Sequence, residues 1–144
     1  MFKRILVPTD GSDITQHAVA TALGLAKSLG AEVFTLCVKE PFPYSAVAEM
    51  QPTPPQEFFD AQERNAAKNV RAVVDACDAA GIVCHAKTVE GLQPWEAIVD
   101  HATAERCDLV VMGSHGRKGF ASLFLGSETQ DVLKHTTIPV LVVR

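Results

Sequence analysis

Five short stretches rich in apolar and β-branched residues, 2–7, 31–38, 83–89, 108–112 and 139–143, alternate along the chain with four segments whose apolar residues recur at helical spacing. No other feature restricts the fold as tightly. Strands separated by helices return parallel to one another, through crossovers that connect right-handedly and leave helices on both faces of the sheet. The expected product is an α/β fold, a doubly wound, Rossmann-like sheet of five parallel strands. At 144 residues the chain fits one domain, 1–144, with enough length to bury a core.

The first strand, Phe2 to Val7, runs into Pro8-Thr9-Asp10-Gly11-Ser12, a cluster of turn-forming residues. Ser12 can cap the helix that follows, and Asp13 sits in its first turn, where negative charge suits the dipole. Ala18, Ala22, Ala26 and Leu29 share one face before Gly30 ends that helix, and small residues there let it lie close to a sheet. Ala31 to Val38 reads as the second strand. Between Glu40 and Gln56, Pro41, Pro43, Pro52, Pro54 and Pro55 mark an exposed connection suited to a flap or a contact surface.

A long helix over 56–80 turns Phe59, Ala66, Val70, Val73 and Cys77 inward, with Asp60–Arg64 and Arg71–Asp75 as four-residue charge pairs on other faces. The weak alternation of 83–89 predicts a partly wet edge strand. Pro94 suits the first turn of a third helix, which points Trp95, Ile98, Val99 and Ala102 inward. Asp108 to Met112 reads as a strand buried on both faces. Ser127 opens a last helix that ends in Lys134 and His135, and Pro139 to Val143 is the fifth strand.

A net charge of -4 supplies no basic excess to neutralise a phosphate backbone or an anionic lipid surface, so neither nucleic acid nor membrane is an expected partner. The apolar run after Lys3-Arg4 breaks at Pro8, too early for a signal peptide, and no stretch approaches a membrane span. A cytoplasmic protein is expected. Cys37, Cys77, Cys84 and Cys107 form no C-x-x-C pair and have no histidine at zinc-ligand spacing, which points to buried reduced thiols and no resident metal.

The chemistry concentrates after the fourth strand, in Met112-Gly113-Ser114-His115-Gly116-Arg117-Lys118-Gly119, which leads to Gly126-Ser127-Glu128-Thr129-Gln130. A strand entering a glycine-rich loop and then a helix N-terminus is how open α/β sheets hold phosphate. Glycines at 113, 116 and 119 allow positive φ and close approach of a ligand to backbone N–H groups. The spacing matches neither the Walker loop nor G-x-G-x-x-G. If the first and fourth strands are neighbours, Pro8-Thr9-Asp10-Gly11 and Gly113-Ser114-His115-Gly116 flank one crevice.

Each of these residues also has a plain structural role. Asp10-Gly11-Ser12 is good turn chemistry before a helix. Ser127 with Gln130 forms a capping box that needs no ligand. His115 is a lone loop histidine, and Arg117 and Lys118 serve equally well as solvated charges. No base, nucleophile and carboxylate set is arranged for catalysis, so no catalytic residue is named. A flavin carrier gains no support from a single Trp and a single Tyr.

Gly113-x-x-Gly116, nine residues, then Gly126-Ser127 resembles the nucleotide-binding signature of the universal stress protein family. Ile5-Leu6-Val7-Pro8-Thr9-Asp10-Gly11-Ser12 is similar to that family's opening and Ile138-Pro139-Val140-Leu141-Val142-Val143 to its closing strand. The resemblance implies an adenine nucleotide alpha hydrolase-like sheet of order 3-2-1-4-5, a homodimer through the C-terminal strand 139–143, and bound ATP, with Mg2+ as a companion held by its phosphates. It places Pro8, Thr9 and Asp10 at the ribose or adenine edge, Val38 in the adenine pocket, and Met112 and Gly113 against the nucleoside. Gly116, Gly126, Ser127, Glu128 and Thr129 would hold the phosphates, with His115 and Arg117 within reach. Glu128 is the discordant member, because a carboxylate pointing inward repels a triphosphate; it is expected to turn outward, offset by Arg117 or Lys118. The implied function is an adenine-nucleotide-binding stress-response protein acting by regulated association. The alternatives are an interaction module of the same fold without nucleotide, and a slow ATPase or autophosphorylating protein.

Overall fold

The computed structural model describes residues 1–41, 56–115 and 125–144. In chain order its elements are β1 (Arg4–Pro8), α1 (Asp13–Leu29), β2 (Glu32–Lys39), α2 (Gln56–Ala80), β3 (Cys84–Glu90), α3 (Pro94–Ala104), β4 (Leu109–Gly113), α4 (Ser127–His135) and β5 (Val140–Val143). The strands form one sheet of order β3-β2-β1-β4-β5, with every neighbouring pair parallel. The fold is therefore the doubly wound Rossmann-like sheet that the alternating pattern predicts.

Period-two alternation sorts the strand residues between two helical layers. Ile5, Val7, Val33, Leu109 and Val111 pack with Ala18, Ala22 and Ala26 of α1 and Val73 and Cys77 of α2. Leu6, Phe34, Leu36, Val110 and Met112 pack with Ile98 and Ala102 of α3 and Val132 of α4. Ile5, Leu6 and Val7 are wholly buried. Each such side chain contributes about 1.5–3 kcal/mol by leaving water, which is why central β1 reads as a continuous apolar run. On β3, His85, Ala86 and Lys87 are exposed, as expected of a sheet edge.

Two local details depart from expectation. In α1 the buried face is Thr15, Ala18, Ala22 and Ala26, while Leu29 is only half-buried. Ser12 takes the N-cap backbone conformation, but its hydroxyl makes no cap bond and lies 3.2 Å from Thr15 Oγ1. The Asp10 carboxylate organises this corner instead, accepting Ser12 N–H at 2.9 Å and the Thr15 hydroxyl at 3.1 Å. At the far end of α1, Gly30 adopts φ 66°, and its N–H and that of Ala31 both reach Ala26 O.

At the amino ends of the strands, Arg4 Nε donates to Glu105 O at 2.8 Å and its guanidinium meets Glu32 Oε2 at 3.3 Å. The Asp108 carboxylate accepts the N–H groups of Lys3 and Arg4. These partly exposed contacts are worth at most about 1 kcal/mol each as ion pairs, but they fix the order β2-β1-β4 at the end remote from the glycine-rich loop. Among the described residues no helix is long and apolar enough to cross a membrane.

Candidate functional site

β1 is hydrogen-bonded to β2 on one side and β4 on the other, so the chain leaves β1 in one direction and later returns to its opposite flank. The carboxyl ends of β1 and β4 thus meet at the switch point, where open α/β sheets hold ligands. Pro8 and Thr9 are buried here; Thr9 N–H donates to Leu36 O at 2.9 Å and its hydroxyl accepts Gly11 N–H at 3.2 Å. Asp10 follows, half-buried, with its carboxylate on Ser12 and Thr15. The first and fourth strands are neighbours, so Pro8-Thr9-Asp10-Gly11 and Gly113-Ser114-His115 lie at the same end of the sheet, Gly116 falling outside the described residues.

Next to it, the end of β4 is tied to the first turn of α4. Thr129 Oγ1 donates to Gly113 O at 2.9 Å and is 2% exposed, while Gly126 N–H donates to Ser114 O and Ser114 N–H to Val143 O, both at 2.7 Å. Gly113 and Gly126 do not have positive φ, contrary to expectation for Gly113. What they need is the missing side chain. A Cβ on Gly113 would stand 3.0 Å from Ile14 Cγ1, and one on Gly126 would stand 3.0 Å from His115 Cα. His115 is half-buried, its Nδ1 3.1 Å from Ser114 Oγ.

The capping box does not form. Gly126 is the N-cap, Ser127 is the first helical residue with an exposed side chain and no cap bond, and Gln130 reaches back to Leu125 O at 2.8 Å. Gln130 N–H is the first to find an acceptor one turn back, at Gly126 O. The amides of Ser127, Glu128 and Thr129 have no acceptor among the described residues. Three such N–H groups and a hydroxyl at a helix N-terminus form a ready anion cradle, so the donor set fits a phosphate group.

Glu128 is resolved differently from expectation. It is half-buried, and its Oε2 accepts Trp95 N–H at 2.7 Å, capping the first turn of α3. The neighbouring ring completes the joint: Trp95 stacks on His135 with centroids 4.2 Å apart and donates its indole N–H to Gln93 Oε1. Glu128 was expected to turn outward, offset by Arg117 or Lys118; its carboxylate serves another helix, 33 residues away, and the two basic residues lie outside the described residues.

Val38 is half-buried near the end of β2 and its side chain joins the α3–α4 layer, as does Met112. Cys37, one residue earlier, is buried and accepts from Asn69 Nδ2 at 3.7 Å. Asn69, on α2, is a residue that sequence reasoning passed over; the signal was a polar side chain within the inward stripe of Ala66, Val73 and Cys77. His101, buried in α3, also went unremarked, and burial pushes its pKa below the ordinary value. Burial pushes the thiols up, Cys77 to about 12 and Cys107 to about 11. The expectations for Gly116, Arg117, Lys118 and the proline-rich connection at 42–55 fall outside the described residues.

No group of three or more His, Cys, Asp or Glu side chains that could hold a metal occurs among the described residues. Two open depressions, of about 310 and 280 Å3, flank the edge strand β3, and neither is lined by residues of the switch point. The chemistry points to the loop ends, which are lined by backbone donors, over those shallow grooves.

The Thermus aquaticus universal stress protein in QAH/OAS sulfhydrylase 3'region is 34% identical, with all of both chains covered. Universal stress protein MJ0531 of Methanocaldococcus jannaschii is 33% identical over all of this chain and 83% of its own. The solved structure of MJ0577, from the same organism, superposes with a TM-score of 0.83 at 30% identity, covering 99% of this chain and 96% of that one. The match to the Universal stress protein family extends over residues 1–144, and the chain belongs to that family.

Proposed function

We propose that this protein binds ATP at the β1–β4 switch point and acts in the stress response as a nucleotide-regulated homodimer. The observation that carries the reading is the α4 N-terminus, where the amides of Ser127, Glu128 and Thr129 have no acceptor among the described residues and Thr129 clamps them to the end of β4. A negatively charged group there gains from both the free donors and the helix dipole, by about 0.3–1 kcal/mol for the dipole alone. In this reading Gly116, Gly126, Ser127, Glu128 and Thr129 hold the phosphates, the last two through their backbone, with His115 and Arg117 close by. Pro8, Thr9 and Asp10 lie at the ribose or adenine edge, Val38 borders the base, and Met112 and Gly113 back the nucleoside. Mg2+, when present, is held by the phosphates and water.

Association is assigned to β5, an edge of the sheet. The carbonyls of Pro139 and Val143 accept from β4, so Val140 and Val142, of opposite parity, direct their N–H and C=O groups outward. A second copy pairing along that edge would satisfy them.

The deciding experiment is to denature the purified protein, chromatograph the released small molecules, and titrate emptied protein with ATP by calorimetry. Copurified or titratable adenine nucleotide is expected. Absence of both would make the protein an interaction module of the same fold, and phosphate release abolished by a Gly116 substitution would instead indicate an ATPase.

A further inference from the structure

We infer that Cys77 and Cys84 form a reversible dithiol–disulfide couple, in which a hydroperoxide oxidises the half-buried Cys84 and the buried Cys77 thiol then closes the bond. The inference does not depend on the nucleotide reading, because Cys84 begins β3 at the end of the sheet opposite the switch point.

The backbone brings the two sulfurs together. α2 ends in a Schellman turn, in which Gly81 N–H donates to Asp78 O at 3.1 Å and Ile82 N–H to Cys77 O at 2.9 Å, with Gly81 at φ 70°. One residue further, Val83 O accepts Val33 N–H at 2.9 Å, and Cys84 stands beside Val33 as the first residue of β3. The chain thus turns back between Cys77 and Cys84 with both margins fixed. Both side chains enter the α1–α2 layer, and there the two thiols are hydrogen-bonded to each other. The other cysteines are placed apart from this pair: Cys107 belongs to the α3–α4 layer, and Cys37 accepts from Asn69.

The two thiols are not equivalent. Cys77 is wholly buried, whereas Cys84 is half-buried. Cys77 S–H is the donor of the shared hydrogen bond, so it keeps its proton, and the accepting Cys84 sulfur is the one that ionises first. Burial still holds Cys84 above the ordinary thiol value, which makes it a slow nucleophile and suits the pair to sustained oxidant over brief exposure.

The Cys84 thiolate attacks the O–O bond of the hydroperoxide, giving a sulfenic acid and releasing an alcohol, or water when the oxidant is hydrogen peroxide. The Cys77 sulfur then attacks the sulfenic sulfur; the S–O bond breaks, and the hydroxyl leaves with the Cys77 proton as water. Two thiols have lost two electrons to one peroxide, and a dithiol reductant reverses the change by exchange. Closure takes the sulfurs from hydrogen-bonding contact to about 2.05 Å.

The test treats the reduced whole protein with hydrogen peroxide, without denaturant, and maps the products by alkylation and mass spectrometry. A Cys77–Cys84 bond within one chain, removed by dithiothreitol, should be the main disulfide, while Cys37 and Cys107 remain open to alkylation after unfolding. Cys77→Ser should accumulate a dimedone-reactive sulfenic acid at Cys84, and Cys84→Ser should give none at Cys77. A dimedone adduct at Cys77 in Cys84→Ser would overturn the assignment of the attacked thiol. The unmodified protein decides the matter even if a variant does not fold. No linked peptide, a disulfide that uses Cys37 or Cys107 instead, a bond only between chains, or a bond that forms only in urea overturns the couple.

Discussion

Glu128 of α4 accepts the backbone N–H of Trp95 at the start of α3, at 2.7 Å, so the one acidic residue in the cradle turn acts as a cap for its neighbour. Glu128→Val should lower stability by about 1–2 kcal/mol, as loss of a helix cap does, read as an earlier urea midpoint at unchanged slope. ATP affinity should move less than about threefold. A tenfold gain would show that the carboxylate still opposes the phosphates.

The Thr129 hydroxyl is buried on Gly113 O, and Thr129→Val keeps its shape while leaving that carbonyl unmatched. A loss of about 1–3 kcal/mol is expected in chemical denaturation, with weaker ATP binding because the cradle is no longer clamped to β4. Thr129→Ser should retain most of both.

Gly126 and Gly113 should respond differently to alanine. The obstacle at Gly126 is the His115 backbone, whereas at Gly113 the nearest atom belongs to the Ile14 side chain. Gly126→Ala should therefore destabilise by about 1–3 kcal/mol without remedy, and Gly113→Ala should be partly rescued by Ile14→Ala, which removes both crowding γ carbons. A double-mutant cycle in urea measures the difference.

Alkaline pH should weaken the fold through its buried thiols. Cys77 and Cys107 hold their protons up to about 12 and about 11, against an ordinary 9.0. Between pH 9 and these values the unfolded chain releases protons that the folded chain keeps, so stability is intact below pH 9 and falls as pH rises above it. Urea midpoints at pH 7.5 and 10.5 should show the fall, and Cys77→Ala with Cys107→Ala should flatten it.

Val142→Pro should separate the proposed dimer. Val142 directs its N–H away from β4, so the substitution removes an edge donor and spares the ladder within the chain. Light scattering should report monomer with unchanged circular dichroism. A persistent dimer would place the interface elsewhere.

The layering of the sheet was legible because strand and helix periods write it directly: the alternation of Leu6 and Val7 over opposite faces of β1 is a local property of the chain. The partners of Glu128, Asn69 and the Thr129 hydroxyl were not, since spacing reveals which face a residue occupies and not what another element brings to it. Gly113 was misread for a related reason. A missing Cβ serves turn conformation and close packing alike, and only the neighbouring Ile14 tells them apart. For Ser127, the preference for a hydroxyl at the N-cap yielded to Gly126, which the tight approach to His115 demands.

The hydrogen bond from Gly126 N–H to Ser114 O makes the chain meet itself again after the eleven intervening residues, with both margins anchored in the sheet and α4. The excursion can therefore evolve as a cassette. Doubling the length of a connection between fixed ends costs only about 0.6 kcal/mol of closure entropy, so additions there leave the frame at Gly113 and Ser127 in register. New recognition properties can be grafted onto this site by changing the length of one segment, without redesigning the fold that presents it.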